Sequence, residues 1–188
     1  MFADEAELVR RCLARESSAL QTFVERFQGA IYGLCYRMLG HCHDAEDVTQ
    51  DVLLRALRSL DRWDPGRPLK PWLFTIAANR CRTALASRAR RPVLSELNAE
   101  QTLAATAEPA AADLGEELET ALTRLREEYR LCFVLFHQQE LSCAEIGEIL
   151  GCPQGTVKTW LHRARRELAA HLRRRGFVNE PDHELHRV

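Results

Sequence analysis

The sequence predicts an all-α protein made of two small helical domains joined by a flexible acidic linker. Apolar residues recur every three or four positions along most of the 188-residue chain, and no stretch alternates with period two, which favours helices over strands. Residues 92–119 interrupt this pattern with two prolines, seven acids and no Lys or Arg, a composition typical of a linker. The length suits one or two domains of modest core size.

The first two helices are predicted from apolar spacing and from residues that start or stop a helix. The first covers about residues 4–15. The second covers 18–39, where Ser18 and Gln21 have the spacing of a capping box and Gly40 is a stop signal.

The third and fourth helices flank a loop. Helical spacing over 44–60, with three acids in the first turn, predicts the third helix, because the helix dipole favours acids at its N-terminus. Segment 61–71 contains three prolines and one glycine and is expected to be irregular. The fourth helix is expected to begin around Pro71, since proline is tolerated at the first helical position, and to end near Arg88.

These elements set the expected boundaries of the domains. The N-terminal domain of four helices occupies residues 1–91 and the linker occupies 92–117. Helical spacing resumes from about residue 116, so the C-terminal domain is expected at 118–176, followed by a short tail at 177–188.

Residues 142–172 carry the strongest local signal, that of a helix-turn-helix. Ser142 and Glu145 form a capping box before a short apolar helix, and Gly151 supplies a left-handed turn. A longer basic helix follows, and in this motif the second helix enters the major groove of DNA. A helical hairpin with a merely solvated basic face is the alternative. The side chains expected to contact DNA are those of Gln154, Thr156, Lys158, Thr159, His162, Arg163 and Arg166.

The net charge of −1 argues at first sight against a nucleic-acid partner, but the charges are segregated. Residues 80–91 contain five arginines and no acid, and residues 158–175 contain seven basic side chains and one acid. The acidic stretch 92–119 lies between them. Two basic segments, each at the end of a helical domain, favour a polyanionic partner.

Several of these motifs together resemble one family. Region 2 of bacterial extracytoplasmic-function (ECF, group IV) RNA polymerase sigma factors is similar to the run DAEDVTQDVLLRAL at 44–57, followed by WLFTIAANR at 72–80. Region 4 of the same factors is similar to EIG at 145–147, GTVK at 155–158 and RAR at 163–165. The resemblance covers roughly residues 8–175.

The resemblance implies a protein that binds core RNA polymerase, recognises promoters and helps to open them. It implies docking on the clamp helices of the largest subunit and on the flap of the second-largest subunit. An anti-sigma factor is implied as a further partner, and the acidic linker would thread toward the RNA exit path. The residues implied to contact core polymerase are Asp44, Glu46, Asp47, Gln50, Asp51 and Arg55.

The resemblance also divides the two basic segments between two promoter elements. The segment 67–91 would capture a flipped base of the minus-ten element and hold the non-template strand, and the helix-turn-helix would read the minus-thirty-five element as duplex. The residues implied to contact the minus-ten element are Lys70, Trp72, Asn79, Arg80, Arg82, Arg88, Arg90 and Arg91.

Three positions depart from the family pattern. Arg126 follows Leu125 where proline is usual. Gly147 stands where alanine is usual and should slightly weaken its helix. Thr159-Trp160 replaces the more usual Ser-Arg, so one basic contact to DNA is expected to be missing.

No cofactor and no resident metal are expected. Seven cysteines in a reducing compartment are expected to be free thiols, and those on apolar stripes are expected to pack as small core residues: Cys12, Cys35, Cys81 and Cys132. The run His41-Cys42-His43 has ligand chemistry for Zn or Cu, yet three adjacent residues need a distant fourth ligand. The candidates for it are Cys35, His183 and His186. Cys143 and Cys152 leave redox sensing as a weaker alternative.

Other functional classes fit the sequence less well. A stand-alone helix-turn-helix repressor or activator would leave the motifs at 44–57 and 69–91 unexplained. An enzyme is not expected, because no catalytic triad, phosphate loop or paired-carboxylate pocket stands out. No apolar run approaches the roughly 18 residues of a membrane span, and Met1 precedes acids rather than a basic and apolar leader. A cytoplasmic protein with no direct membrane insertion is therefore expected.

Overall fold

The structure, a computed structural model, describes residues 2–90 and 114–177. Within these residues it contains helices and no strand, so the predicted all-α fold is confirmed. The helices are α1 (Phe2–Leu13), α2 (Ser17–Leu39), α3 (Cys42–Arg58), a 3₁₀ turn (Leu60–Arg62), α4 (Leu69–Arg90), α5 (Leu114–Arg124), α6 (Glu127–His137), α7 (Cys143–Leu150) and α8 (Gln154–Arg174).

Helix α2 is the centre of the N-terminal half. It packs against α1, α3 and α4 of the same half and against α6 of the C-terminal half. Its buried face includes Phe23, Ile31, Leu34 and Met38, each under 2% exposed, at the three- and four-residue spacing that places them on one stripe. This stripe positions α3 and α4, which carry the side chains predicted to bind polymerase and DNA.

The two ends of α2 differ in how well the sequence predicted them. Gly40 ends the helix at φ 72°, as predicted, and its N–H donates to the carbonyl of Tyr36 at 2.8 Å. The predicted capping box is wrong. The N-cap is Glu16, which makes no side-chain capping bond, and the Gln21 amide donates instead to Glu25 at 2.7 Å.

Helix α4 begins at Leu69, two residues before the predicted start. The reason is a tertiary contact: the buried Glu5 carboxylate of α1 accepts the N–H of Leu69 at 3.0 Å and so caps the helix. Pro71 is tolerated in this first turn because the first four N–H groups of a helix have no intrahelical partner. The helix also continues past the predicted end, to Arg90.

Helix α5 begins at Leu114, inside the segment predicted as linker. Glu116 and Glu117 in its first turn suit the positive end of the helix dipole, so the acids that suggested a linker also favour a helix start. The rest of the predicted linker, and the tail beyond Phe177, lie outside the described residues.

The predicted helix-turn-helix is formed by α7 and α8. Ser142 Oγ accepts the N–H of Glu145 at 3.2 Å, and the Glu145 carboxylate accepts the N–H of Ser142 at 2.8 Å, which completes the capping box. Gly151 ends α7 at φ 67°. The motif therefore has the turn chemistry predicted for it.

Gly147 has a packing role that its low helix propensity did not predict. A Cβ at this position would lie 2.7 Å from the backbone oxygen of Cys152, a distance that real Cβ atoms do not tolerate. The N–H of Cys152 donates to the carbonyl of Gly147 at 2.9 Å. Glycine thus allows the turn to fold back closely on α7.

Replacing Gly147 with alanine should therefore destabilise the chain by about 1–2 kcal/mol, because the steric cost exceeds the gain in helix propensity of about 1 kcal/mol. The midpoint of urea unfolding followed by circular dichroism measures this. Gly29→Ala is the matched control, since nothing lies within 4 Å of a Cβ there. That variant should be stabilised by about 0.5–1 kcal/mol. Equal shifts in the two variants would contradict the steric account.

The N- and C-terminal halves pack directly on each other. Helix α2 contacts α6, and α4 contacts α7. Buried residues of α6, α7 and α8 belong to the same apolar cluster as the core of α2–α4. A second cluster, which includes Leu122, Tyr129 and Leu168, joins α5 to α8. Trp160 packs against both clusters, so the aromatic side chain at this position serves packing.

Candidate nucleic-acid and polymerase interfaces

The outer face of α3 is acidic and open. Asp44, Glu46, Asp47 and Gln50 are exposed, because the opposite face of the helix, including Val52, is buried against the core. Asp47 forms no ion pair with any described residue. The four side chains predicted to contact polymerase from the first half of α3 are thus presented together to solvent.

Asp51 does not belong to this open face. Its carboxylate is only partly exposed and accepts a hydrogen bond from Arg55 Nε at 2.8 Å. The same carboxylate lies 2.5 Å from Arg80 Nε. The sequence assigned Asp51 to polymerase and Arg80 to DNA, yet the structure joins them in an ion pair between α3 and α4. Nothing in the local spacing signals this contact, because 29 positions separate the two residues.

The residues of α4 predicted to contact the minus-ten element differ in exposure. Asn79, Arg88 and Arg90 are exposed, and Arg91 lies outside the described residues. Lys70 and Arg82 are partly buried, and each contacts a group of the C-terminal half. The Lys70 ammonium donates to the carbonyl of Gln139 at 2.6 Å and lies 6.0 Å from the ring centroid of Phe74.

Arg82 makes the second of these contacts. Its Nε lies 3.2 Å from the Glu127 carboxylate, and Glu127 is the first residue of α6. Of the three partly buried cations of α4, Lys70 and Arg82 are therefore bound by groups of the C-terminal half, and Arg80 is bound by Asp51 of α3.

Two tryptophans line a cleft of about 980 Å³ between the start of α4 and helix α7. Trp72, predicted to contact the minus-ten element, is half-buried there, whereas Phe74 is a core residue at 1% exposure. Trp63 is buried at 5% exposure and was not predicted as a site residue. Trp63 lies in the proline-rich loop and lines the cleft together with Trp72. A second tryptophan in this loop was the sequence signal for the cleft that was missed.

The outer face of α8 is the second basic surface. The side chains of Gln154, Lys158, Thr159, His162, Arg163 and Arg166 are exposed, and that of Thr156 is partly exposed. The Thr159 hydroxyl donates to the carbonyl of Gly155 at 2.9 Å, so it is held against its own helix. Arg163 Nη1 donates to the Tyr129 hydroxyl of α6 at 3.0 Å, which orients the guanidinium at the surface.

Arg165, which was not predicted as a site residue, joins α8 to α6. Its Nε donates to His137 Nε2 at 3.3 Å, and its guanidinium lies 5.5 Å from the ring centroid of Phe136. Burial, and secondarily the adjacent charge of Arg165, lower the pKa of His137. The neutral imidazole is the form that accepts this hydrogen bond.

A buried polar cluster fixes α5 to the end of α8. Glu117 and His171 are 6% and 5% exposed, and their side chains are 2.6 Å apart at Oε1 and Nε2. Arg175 Nε donates to the same carboxylate oxygen at 3.1 Å. Burial opposes ionisation of Glu117, but the hydrogen bonds from His171 and Arg175 outweigh it and hold the pKa of this carboxyl below its ordinary value.

The candidate metal ligands are not gathered. The rings of His41 and His43 lie 5.5 Å apart, and His43 Nδ1 faces Glu46 at 3.8 Å. Cys35, one proposed distant ligand, is buried and accepts from the Cys81 thiol at 3.7 Å. In the part of the chain that the structure describes, no three His, Cys, Asp or Glu residues are placed to hold a metal ion.

The cysteines on apolar stripes pack as predicted, since Cys12, Cys35, Cys81 and Cys132 are all buried. None of the helices among the described residues combines the length and the apolarity that a membrane crossing requires.

The chain is similar to known proteins over most of its length. Two family models match the chain, Sigma-70 region 2 over residues 23–91 and Sigma-70, region 4 over residues 115–168. The ECF RNA polymerase sigma factor SigW of Bacillus subtilis (strain 168) is 35% identical over 84% of this chain and 91% of its own length. The ECF RNA polymerase sigma-E factor of Escherichia coli (strain K12) is 31% identical over 84% of this chain and 88% of its own length.

A solved structure is also similar. The sigma factor RpoE in its complex with the anti-sigma factor NepR from Bartonella quintana superposes with a TM-score of 0.66 at 26% identity, over 81% of this chain and 96% of that chain. The matches in sequence and fold extend over both halves of the molecule. The chain therefore belongs to the ECF family of RNA polymerase sigma factors, and it directs core RNA polymerase to promoters for transcription initiation.

Proposed function

We propose that three helices of this sigma factor each bind a different part of the transcription complex. The acidic face of α3 docks on core polymerase, the start and basic face of α4 bind the minus-ten element, and α8 reads the minus-thirty-five element as duplex. The observation that carries this proposal is the separation of charge between neighbouring elements. The first half of α3 exposes acids and a glutamine, whereas the exposed charged side chains of α4 are arginines and those of α8 are basic except for Glu167.

Charge complementarity supports the division. A polymerase surface that receives Asp44, Glu46 and Asp47 must be basic, as we propose for the clamp helices of the largest subunit. Phosphates require cations, which Arg88 and Arg90 supply along the exposed end of α4 and Lys158 supplies on α8. The C-terminal half would also contact core polymerase, at the flap of the second-largest subunit.

The proposal extends to regulation and location. A relative of similar fold is solved in complex with an anti-sigma factor, and we propose a partner of that class for this chain. The protein would work in the cytoplasm, as a specificity subunit that adds no catalytic group to the polymerase.

Arg163→Ala should weaken binding of the holoenzyme to its promoter about tenfold and flatten the dependence of affinity on salt, because fewer counterions are released. The binding constant measured by fluorescence anisotropy across a salt series checks this. Arg124→Ala is the control: Arg124 is an exposed arginine on α5, so it removes the same charge away from α8. An Arg163→Ala slope equal to that of wild type would rule out a phosphate contact at this position.

Scrambling one promoter element tests whether Arg163 acts at the minus-thirty-five element. The Arg163→Ala holoenzyme should initiate poorly at a promoter with both elements intact. On a template with a scrambled minus-thirty-five element, wild type and variant should become equal, since the contact is already lost. If the variant were equally impaired on both templates, Arg163 would act elsewhere.

A further inference from the structure

One buried tyrosine of α6 contacts two arginines from different parts of the C-terminal half. Tyr129 is 4% exposed, and its ring belongs to the second apolar cluster, which joins α5 to α8. Its hydroxyl accepts a hydrogen bond from Arg163 Nη1 of α8 at 3.0 Å. The guanidinium of Arg126, the residue before α6, lies 5.5 Å from the centroid of the same ring. Two positive charges therefore meet on one side chain that the core holds in place.

The backbone that carries Arg126 is also held in place. Arg126 is the N-cap residue of α6, and its own carbonyl accepts the N–H of Arg130 at 3.0 Å. The carbonyl before it, that of Leu125, accepts Arg130 Nη2 at 3.1 Å. Because both neighbouring carbonyls are bound, less ordering of the turn is needed when the Arg126 side chain binds a ligand.

The charges of both arginines remain open to a further anion. The Arg126 side chain is 70% exposed, and its Nε lies 3.9 Å from the Glu128 carboxylate, a long surface pair of the kind that contributes little. A guanidinium has five N–H donors, so this one pair leaves most of them for another ligand. Arg163 is exposed, and the tyrosine hydroxyl that orients it is neutral and does not offset its charge.

The ligand that suits this arrangement is the phosphate backbone of DNA. Phosphate oxygens form strong, bidentate hydrogen bonds with arginine, and phosphates repeat along each strand. Arg163 lies on the exposed face of α8, the face proposed for the minus-thirty-five element, so a strand that reaches Arg163 also passes the neighbouring Arg126. Trp160 of the same helix carries no charge and packs against both apolar clusters. Arg126 therefore adds a cation beside a part of α8 that lacks one.

We propose that Arg126 and Arg163 form a phosphate-binding pair on the DNA backbone of the minus-thirty-five element, and that Tyr129 is the residue that positions them. The inference rests on the proposed function, because it takes α8 as the minus-thirty-five surface. Arg126 lies outside the helix-turn-helix in the sequence, and helical period gave no sign of it as a site residue. Tyr129 acts through the two arginines, since its own ring is buried.

Arg126→Ala tests the phosphate contact in the holoenzyme. Affinity for a labelled duplex that spans both elements upstream of a mapped start site should fall roughly fivefold, and the slope of log affinity against log salt should become shallower by about one. Fluorescence anisotropy across a salt series measures both. Arg126→Lys keeps the charge and should keep the wild-type slope. Arg124→Ala is the matched control, since it removes the same charge at an exposed position of α5 two residues away. Equal slopes for Arg126→Ala and Arg124→Ala would overturn the phosphate contact.

Tyr129→Phe tests the positioning role, because it keeps the buried ring and removes only the hydroxyl. It should weaken promoter binding about threefold in the wild-type background and have no effect in the Arg163→Ala background, where the hydrogen bond is already lost. A purely structural role would weaken binding in both backgrounds, and that result would overturn the positioning role. If Tyr129→Phe lowered the thermal midpoint, Arg126→Ala would still decide the phosphate contact, since Arg126 is exposed.

The Arg163→Ala variant separates this inference from the proposed function. If Arg163→Ala weakens promoter binding and Arg126→Ala does not, the phosphate pair is wrong and the assignment of α8 stands. If neither variant changes binding and scrambling the minus-thirty-five element has no effect, the assignment of α8 fails, and the inference fails with it.

Discussion

Replacing Asp47 with lysine should lower the affinity of this sigma factor for core RNA polymerase by about 10–100-fold. Asp47 is exposed on α3 between Asp44 and Gln50, and no described residue pairs with it, so its charge is free to meet a basic partner. A lysine there places like charges against each other, at the centre of the proposed docking surface.

Competition between labelled wild-type factor and each variant for core polymerase measures this effect. Glu25→Lys is the control, since it makes the same charge change at an exposed position of α2 and should leave core affinity unchanged. The thermal midpoint of Asp47→Lys should match wild type. If only DNA binding changed while core affinity held, the docking assignment would be wrong. Asp51 is a poorer probe, because its replacement also breaks the ion pair with Arg80.

Replacing Glu117 with alanine should destabilise the chain by about 3 kcal/mol at neutral pH, because His171 and Arg175 lose a buried anionic partner. The effect should depend on pH. Since the pKa of Glu117 is lowered in the folded chain, its stabilising contribution is present above the pKa of an unfolded glutamate, about 4.3. That contribution is lost as the pH falls through the lowered folded-state pKa.

Urea unfolding between pH 3 and pH 7, with Glu117→Gln beside wild type, tests the sign. Glutamine keeps the shape but cannot ionise, so its unfolding free energy should fall less steeply in acid. Glu116→Gln, at the exposed neighbouring position, should follow the wild-type curve. Parallel curves for wild type and Glu117→Gln would show that the carboxylate charge does not stabilise the fold.

The features that local chemistry determines were predictable from the sequence. The capping box of Ser142 with Glu145 and the left-handed turn at Gly151 depend on residues a few positions apart, and both were predicted. The exposed face of α8 follows from the helical period alone. These are the elements that carry the helix-turn-helix and its basic surface.

The predictions that failed concern features that depend on contacts between distant parts of the chain. Helix α4 starts early because Glu5, 64 positions away, caps it. The need for glycine at 147 comes from the return of the chain at Cys152. Helical period and propensity describe one segment at a time, so neither reports what a second segment will place beside it.

The engagement of Lys70 and Arg82 by the C-terminal half is the largest of these tertiary effects. Their types and positions predicted a nucleic-acid surface, but the sequence offered no sign that Gln139 and Glu127 would occupy it. The structure adds that Arg82, from the basic segment 80–91, pairs with Glu127, which lies outside the acidic segment predicted as a linker.

Run-off transcription with purified core polymerase tests the central assignment most directly. The template should carry a start site mapped from the transcripts that appear when this factor is overproduced. We expect a discrete transcript from that site when the factor is added to sigma-free core, and none from core alone. Absence of promoter-dependent initiation, with tight binding of duplex DNA by the factor alone, would contradict the assignment and favour a stand-alone helix-turn-helix regulator.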